Sequence, residues 1–397
     1  MRSDRRAPHR DPWTEPNRTR IRTLDWASLL CQSPPLKASN RLRKRFREQR
    51  EGGERVRLAD VAERAGVSSA TASRALNGRG QLADETRATV FQAAADLDFR
   101  PSPVARSLRT RHTSTVGLVV PYVAHSFYAS LIKGAQSYLH EAGYRLILVD
   151  SGVEPESVAA GITTLLDHQV DGVLVSTTPF GADRFNRLLG TKPCVFLDEV
   201  VSGAGHGSVA IENAKGVRML VDHMAWHGHR RIAFVGGPNN NTAGIERLAG
   251  YRDAMKKNEL DVPADLYRLC DWSIKAGFAA ALVILAGTSS PTAIVTASAE
   301  LALGALAAAR SRQLAIPDDL ALASFDDRYF APLLQPSLTA IAYDEVEMGR
   351  KGAEMLVGAI KEPKAEGHEM RMDVRLVPRR SCGCSRDMTA DLDEVIG

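Results

Sequence analysis

No apolar run in this sequence is long enough to cross a bilayer. The longest, Ala279–Ala286, falls far short of the roughly 20 residues a spanning helix needs. The N-terminal stretch is rich in arginine and has no apolar core of the kind a secretory signal carries. Cysteine is scarce: Cys31, Cys194, Cys270, Cys382 and Cys384 are too few and too scattered for a disulfide framework. A reducing cytoplasm is the compartment that fits. There is no phosphate-cradling P-loop, no GxSxG elbow and no HExxH pair. NTPase, serine-hydrolase and zinc-peptidase chemistry lose their usual signatures, and no enzyme, cofactor or metal is expected.

What is present is a chain of 397 residues, with 44% hydrophobic and 25% charged residues. That length suggests two or three domains, and the composition is ordinary for a soluble globular protein. The net charge of +4 conceals an asymmetry. Residues 1–112 hold 24 Lys and Arg against 13 Asp and Glu, whereas the remainder holds 27 against 34. A basic front on an acidic body points to an end that binds a polyanion.

Residues 1–54 carry no persistent period and are broken by prolines at 8, 12, 16, 34 and 35. They read as a basic, disordered extension, leaving open nonspecific DNA binding or an over-extended translation start. Order begins at "RLADVAERAGVSSATASRALNGRG", residues 57–80. Leu58, Val61, Ala62 and Ala65 recur at helical spacing, and Gly66 stops that helix. Ser68 is an N-cap for a second helix reaching about Leu76. A third runs from about Asp84 to Leu97. Three short helices with a tight turn make residues 55–101 a helix-turn-helix domain. In residues 102–112, Ser102 and Pro103 open a helix of about seven residues, which is marginal unless a partner supports it.

From Thr115 near-continuous apolar strands alternate with helices, as in "TVGLVVP", "YRLILVD", "RIAFVGG", "AIVTA" and "LALASFDD". Such strands belong to parallel sheets covered on both faces. Residues 113–397 suffice for two doubly wound α/β subdomains. Ligands in such folds bind beyond the carboxyl ends of the strands, here Pro121–Tyr122, Ser176, Asp198, Gly236, Thr296 and Asp326.

"LADVAERAGVSSATASRALNG", "FRPSPVARSLRT", "HGHRRIAFVGG", "ERLAGYRDAM", "ELALGAL", "IPDDLALASFDD" and "PSLTAIAYD" occur in one order. Together they resemble the LacI/GalR family of transcriptional regulators over residues 57 to about 383. The resemblance implies a helix-turn-helix headpiece and a core of periplasmic-binding-protein type, crossed by the chain near 212 and 341. It implies a homodimer on an approximately palindromic DNA operator, most often a repressor, with no membrane involvement.

The second helix would enter the major groove with Ser69, Ala70 and Arg74 at base edges, Arg74 being suited to guanine. Ser68, Thr71, Ser73 and Asn77 would meet the DNA backbone. The family's hinge would place Ala105, Arg106 and Leu108 in the minor groove, with Leu108 as an apolar wedge. Ala83 stands where the family has a capping residue, and Asp84 is expected to take over the cap.

In the core, the resemblance assigns a carbohydrate-like effector to Asp326, which would accept hydroxyls, to Arg247, which would donate, and to Trp272, which would stack. Tyr122, His125, Phe127, Ser176, Asp198 and Ser298 complete the expected cleft. Ser298 and Ala299 replace the family's frequent Asn-Asp, so a polar fork is missing. That opens the alternative of a ligand-independent regulator with a degenerate cleft. A plain sugar-binding module is disfavoured by the headpiece. His223 and His227 stand four apart on one helix, but "WHGHRR" reads as a helix C-terminus. Cys382-Gly-Cys384 reads as a surface tail.

Overall fold

The computed structural model describes residues 56–77, 81–99, 112–363 and 367–385. Contacts divide the chain into two units with the boundary between Pro101 and Ser102. The first unit holds α1 (Leu58–Arg64), α2 (Ser69–Leu76) and α3 (Asp84–Asp96). After α1, Gly66 takes φ +67°. Its N–H reaches Glu63 O and that of Val67 reaches Ala62 O. This is the reciprocal closure of a glycine-terminated helix, and it satisfies two orphan carbonyls. Ser68 caps α2 by accepting from the Thr71 N–H at 3.1 Å. Val61, Ala62, Ala72, Ala75, Val90, Ala93 and Ala94 fill the small core. One expectation is corrected here. Ala83 is the N-cap of α3 without a side-chain bond, and Asp84 is already helical. Asp84 and Glu85 serve the N-terminus through the helix dipole instead.

The second unit contains two sheets. The first comprises β1 (Thr115–Val120), β2 (Arg145–Asp150), β3 (Gly172–Val175), β4 (Cys194–Leu197), β5 (Gly207–Ile211) and a late strand, β11 (His368–Met372). Their order is β11-β5-β4-β3-β1-β2, with every pairing parallel. The second comprises β6 (Ile232–Gly236), β7 (Tyr267–Leu269), β8 (Ala293–Thr296), β9 (Ala321–Phe325), β10 (Thr339–Ala342) and β12 (Arg375–Val377), in the order β12-β10-β9-β8-β6-β7. Only β12 runs antiparallel, against β10. The period-2 geometry of strands sorts the apolar residues by face. Leu118, Leu174, Val195 and Leu197 join one buried cluster, whereas Val119, Val173, Val175 and Phe196 join another.

The first sheet carries α4 (Ser126–Glu141), α5 (Pro155–Asp167) and α6 (Ala182–Leu189). The second carries α7 (Asn213–Trp226), α8 (Thr242–Lys257), α9 (Ile274–Leu285) and α10 (Ala299–Ser311). The chain passes between the sheets after β5 at 212, returns after β10 at 343–344, and crosses a third time between β11 and β12. The second passage leads into α11 (Glu345–Lys361), the longest described helix, which packs on α4. Glycine permits that approach. A Cβ at Gly134 would lie 1.8 Å from Val346 O, and one at Gly349 would lie 2.0 Å from Leu131 O. No helix among the described residues is long and apolar enough to cross a membrane.

Because backbone faces backbone at this crossing, Gly349→Ala forces the two helices apart. It should destabilise the core by about 1–3 kcal/mol, read as a lower urea midpoint. An unchanged midpoint would mean that the helices can separate freely.

Candidate DNA-reading face and effector cleft

On α2, Ser69, Ala70 and Arg74 are exposed on one side, while Ala72 and Ala75 are buried on the other. The Arg74 side chain lies back toward the helix start, with Nε 3.4 Å from Ala70 O and Nη2 3.5 Å from Thr71 Oγ1. The Ser68 and Thr71 hydroxyls are 2.9 Å apart. Ser73 and Asn77 are half-buried, and the Asn77 side-chain amide donates to Ser73 O at 2.6 Å. Thus four of the seven helix candidates, Ser68, Ser69, Ala70 and Arg74, stand exposed, and Ser73 and Asn77 also hold the helix end. Ala105, Arg106 and Leu108, like residues 1–54, lie outside the described residues.

The nine core candidates converge. Tyr122, His125, Phe127, Ser176, Asp198, Arg247, Trp272, Ser298 and Asp326 all line one cavity of about 150 Å³ between the two sheets. The reason is topological, since parallel strands of both subdomains point their carboxyl ends at the same gap. Arg247 on α8 is buried at 4% exposure. Its Nε donates to Asn213 Oδ1 at 2.8 Å and its Nη1 to Ala297 O. Asp326 Oδ1 is 3.7 Å from Nη1. The guanidinium stacks 3.8 Å from the Phe325 ring centroid and 5.8 Å from that of Trp272. Asp326 also accepts from the Tyr343 hydroxyl at 2.8 Å.

Two aspartates mark the strand ends, Asp198 after β4 at φ +61° and Asp326 after β9 at φ +68°. Both sit in the left-handed region that aspartate tolerates better than most side chains. Asp198 Oδ1 is enclosed without a hydrogen-bond partner among the described residues. Burial pushes its carboxyl up to about 8, against the pull of Arg247. Burial likewise raises Glu199, which accepts from the Thr242 N–H at 3.0 Å across the gap.

The substituted loop before α10 behaves differently from expectation. Ser298 caps α10 by accepting from the Leu301 N–H at 3.3 Å, so its hydroxyl is already engaged. Ser176 likewise donates to Leu197 O at 2.9 Å. Glu300 meets His125 Nε2 at 3.2 Å, bridging the subdomains. Burial opposes ionisation of Glu300, but the His125 hydrogen bond and charge hold it below the ordinary range. Arg328, which sequence reasoning missed, is 5% exposed and lines the cleft. It pairs with Glu345 and lies 3.8 Å from Asp326. Its Nε and Nη2 have no hydrogen-bond partner among the described residues. Its place two residues after Asp326, past a strand end, was the available signal.

Cys382-Gly-Cys384 is not a surface tail. Ser381 and Cys382 are buried, and the Ser381 hydroxyl donates to Leu322 O at 2.6 Å. Cys382 and Cys384 meet His223 and His227, all four ligand atoms lying within 4.8 Å of one another.

Residues 57–102 match the family model described as bacterial regulatory proteins, lacI family, and residues 221–382 match a periplasmic binding protein-like domain. The chain is 31% identical over 327 residues to the HTH-type transcriptional repressor PurR of Klebsiella pneumoniae (strain 342), covering 82% of this chain and 96% of that protein. The lac repressor dimer bound to operator and the anti-inducer ONPF superposes with a TM-score of 0.76 at 26% identity, covering 83% of this chain and 99% of that one. The transcriptional regulator CelR in complex with cellobiose gives 0.63 at 30% identity, covering 82% and 100%.

The raised pKa of Asp198 sets a pH dependence. The folded state holds this proton more tightly than the unfolded chain, whose aspartates titrate near ~4. The associated stability is present below that value and is lost as pH rises toward about 8. Asp198→Asn is neutral throughout, so it should gain stability relative to the parent between pH 5 and pH 8. Urea midpoints of both proteins at the two pH values check this, and an equal difference at both would sink it.

Proposed function

The chain belongs to the lacI family of bacterial regulatory proteins, and from that premise we propose that it is a cytoplasmic, homodimeric repressor whose operator affinity is set by a small polar ligand in the core cleft. In this reading residues 55–101 read the operator, residues 102–112 act as hinge, and residues 113–397 dimerise and bind the effector. Ser69, Ala70 and Arg74 read bases, Ser68, Thr71, Ser73 and Asn77 position the headpiece on phosphates, and Ala105, Arg106 and Leu108 enter the minor groove. Two half-sites then lie about one helical turn apart.

The observation that carries the ligand reading is the buried Arg247 held between Asp326, Phe325 and Trp272 in a cavity lined from both subdomains. Paired carboxylate and guanidinium groups beside an aromatic ring suit a hydroxylated ring. The cavity lies below the ~300–1,000 Å³ typical of drug-sized sites, which favours a single-ring occupant. The cellobiose-bound relative supports the carbohydrate class. Asp326, Arg247, Asp198, Tyr122, His125 and Arg328 would supply polar contacts, with Trp272 and Phe127 as apolar cover. Ser176 and Ser298 shape the floor. Ligand would act by changing the relative setting of the subdomains, and linkage requires operator DNA to change ligand affinity by the same factor.

One observation favours the ligand-independent alternative: the His125–Glu300 contact itself joins the subdomains. Operator selection from random duplexes, repeated with sugars and nucleosides, separates the readings. A palindrome whose recovery one compound abolishes or enhances supports the effector, and indifference to all of them supports the alternative.

Two substitutions sharpen the assignment. Arg74→Ala should relax specificity at one base position and weaken operator binding by about 1–3 kcal/mol. Equal loss on operator and random DNA would remove its base-reading role. Trp272→Ala should weaken binding of the selected compound about 10-fold, or ~1.4 kcal/mol, and leave ligand-free operator affinity unchanged in a mobility-shift titration.

A further inference from the structure

His223 and His227 project from the C-terminal end of α7, one helical turn apart, with ring centroids 4.8 Å apart. Spacing of i, i+4 puts both rings on one face. Cys382 and Cys384 arrive from the far end of the chain, after β12. Between them Gly383 adopts φ +96°, a left-handed conformation that turns the backbone so that both sulfurs face the same helix. His223 Nε2 lies 3.1 Å from Cys382 Sγ and 3.6 Å from Cys384 Sγ, and His227 Nε2 lies 3.3 Å from Cys384 Sγ.

From these positions we infer that His223, His227, Cys382 and Cys384 form a tetrahedral Cys₂His₂ site for Zn²⁺ that clasps the C-terminal segment to α7. The distances carry the argument. Zn–S bonds of about 2.3 Å and Zn–N bonds of about 2.0–2.1 Å, set tetrahedrally, give ligand-to-ligand edges of about 3.3–3.8 Å. Three of the six separations, at 3.1, 3.3 and 3.6 Å, fall near those edges, and all six lie within 4.8 Å. Hydrogen bonds explain the cluster less well. His223 Nε2 faces two sulfurs and Cys384 Sγ faces two imidazoles, whereas a neutral ring carries one proton for one partner. A central cation satisfies all four atoms together.

The charge also closes. Two thiols each release a proton, and the resulting thiolates neutralise Zn²⁺, so a cluster containing the 1%-exposed Cys382 gains no net charge. In the protonated form the Cys382 thiol donates to Arg379 O at 3.1 Å. The Thr339 hydroxyl, 3.0 Å from the same sulfur, becomes the donor to the thiolate, the kind of outer partner that steadies a metal ligand. All four positions are filled by protein, which marks a structural site and not a catalytic one.

The test uses the untagged full chain, purified under reducing conditions and never passed over a metal column. Plasma mass spectrometry should find about one zinc per chain. Replacing zinc with Co²⁺ should give the intense visible bands of a tetrahedral thiolate-imidazole site, and Cys384→Ser and His227→Gln should each lose them. Should either variant fail to fold, the parent chain decides. Chelation should lower its Tm by several degrees, and Zn²⁺ but not Mg²⁺ should restore it. A weak octahedral Co²⁺ spectrum, a Tm indifferent to chelator, or a Cys382–Cys384 disulfide in the reduced preparation would each overturn the site.

Discussion

A buried guanidinium needs acceptors on every side, because water no longer supplies them. Arg247 meets that need by reaching residues that are far apart in sequence: Asn213 at the first crossing, the Ala297 carbonyl beyond β8, and Asp326 beyond β9. Asn213 in turn donates to Glu246, which receives a bidentate pair from Arg371 on β11. One side chain therefore links the cleft floor to the crossing strands. Anything that pulls on Asp326 or Arg247 pulls on the connections between subdomains, which is the physical route by which an occupant of the cavity could alter the rest of the core.

The cleft is also short of compensation in the form described. Asp198, Glu300 and Arg328 each keep at least one enclosed polar atom without a hydrogen-bond partner among the described residues, and Glu345, raised by burial to about 7, faces Arg328. Orphaned groups of both signs in one gap are costly unless something polar joins them or the gap closes. The same arrangement therefore favours both a hydroxylated guest and a mobile pair of walls.

Much of this was legible in the sequence, for reasons that differ by element. The central strands were readable because both faces are buried and their residues are apolar without interruption, as in Thr115–Val120 and Ile232–Gly236. The headpiece was readable because its punctuation is local: Gly66 and Ser68 do their work within five residues. What escaped depends on partners far away. β7 has three residues and half-exposed faces, and β11 reads "HEMRM" because it is an edge strand with little buried surface. Gly349 of α11 looks like a helix weakener until α4 is seen against it, and Gly352 until Leu197 of β4 is. Arg328 carries no local mark of burial beyond its place two residues after Asp326, and its other carboxylate, Glu345, comes from α11. The two histidines and the two cysteines stand 157 to 161 residues apart at their contacts, and only the fold puts them together.

The third crossing has a consequence for synthesis. The first sheet is completed by β11 and its helical cover by α11, both encoded after five of the six strands of the second sheet, and the second sheet is completed by β12 later still. Neither half can complete its sheet until β11 and β12 have been made. Until then the nascent chain carries an uncovered apolar face on α4 and two open sheet edges, the surfaces most prone to mispairing. Premature termination anywhere before β11 therefore does not yield one sound subdomain and one missing one; it leaves both unfinished.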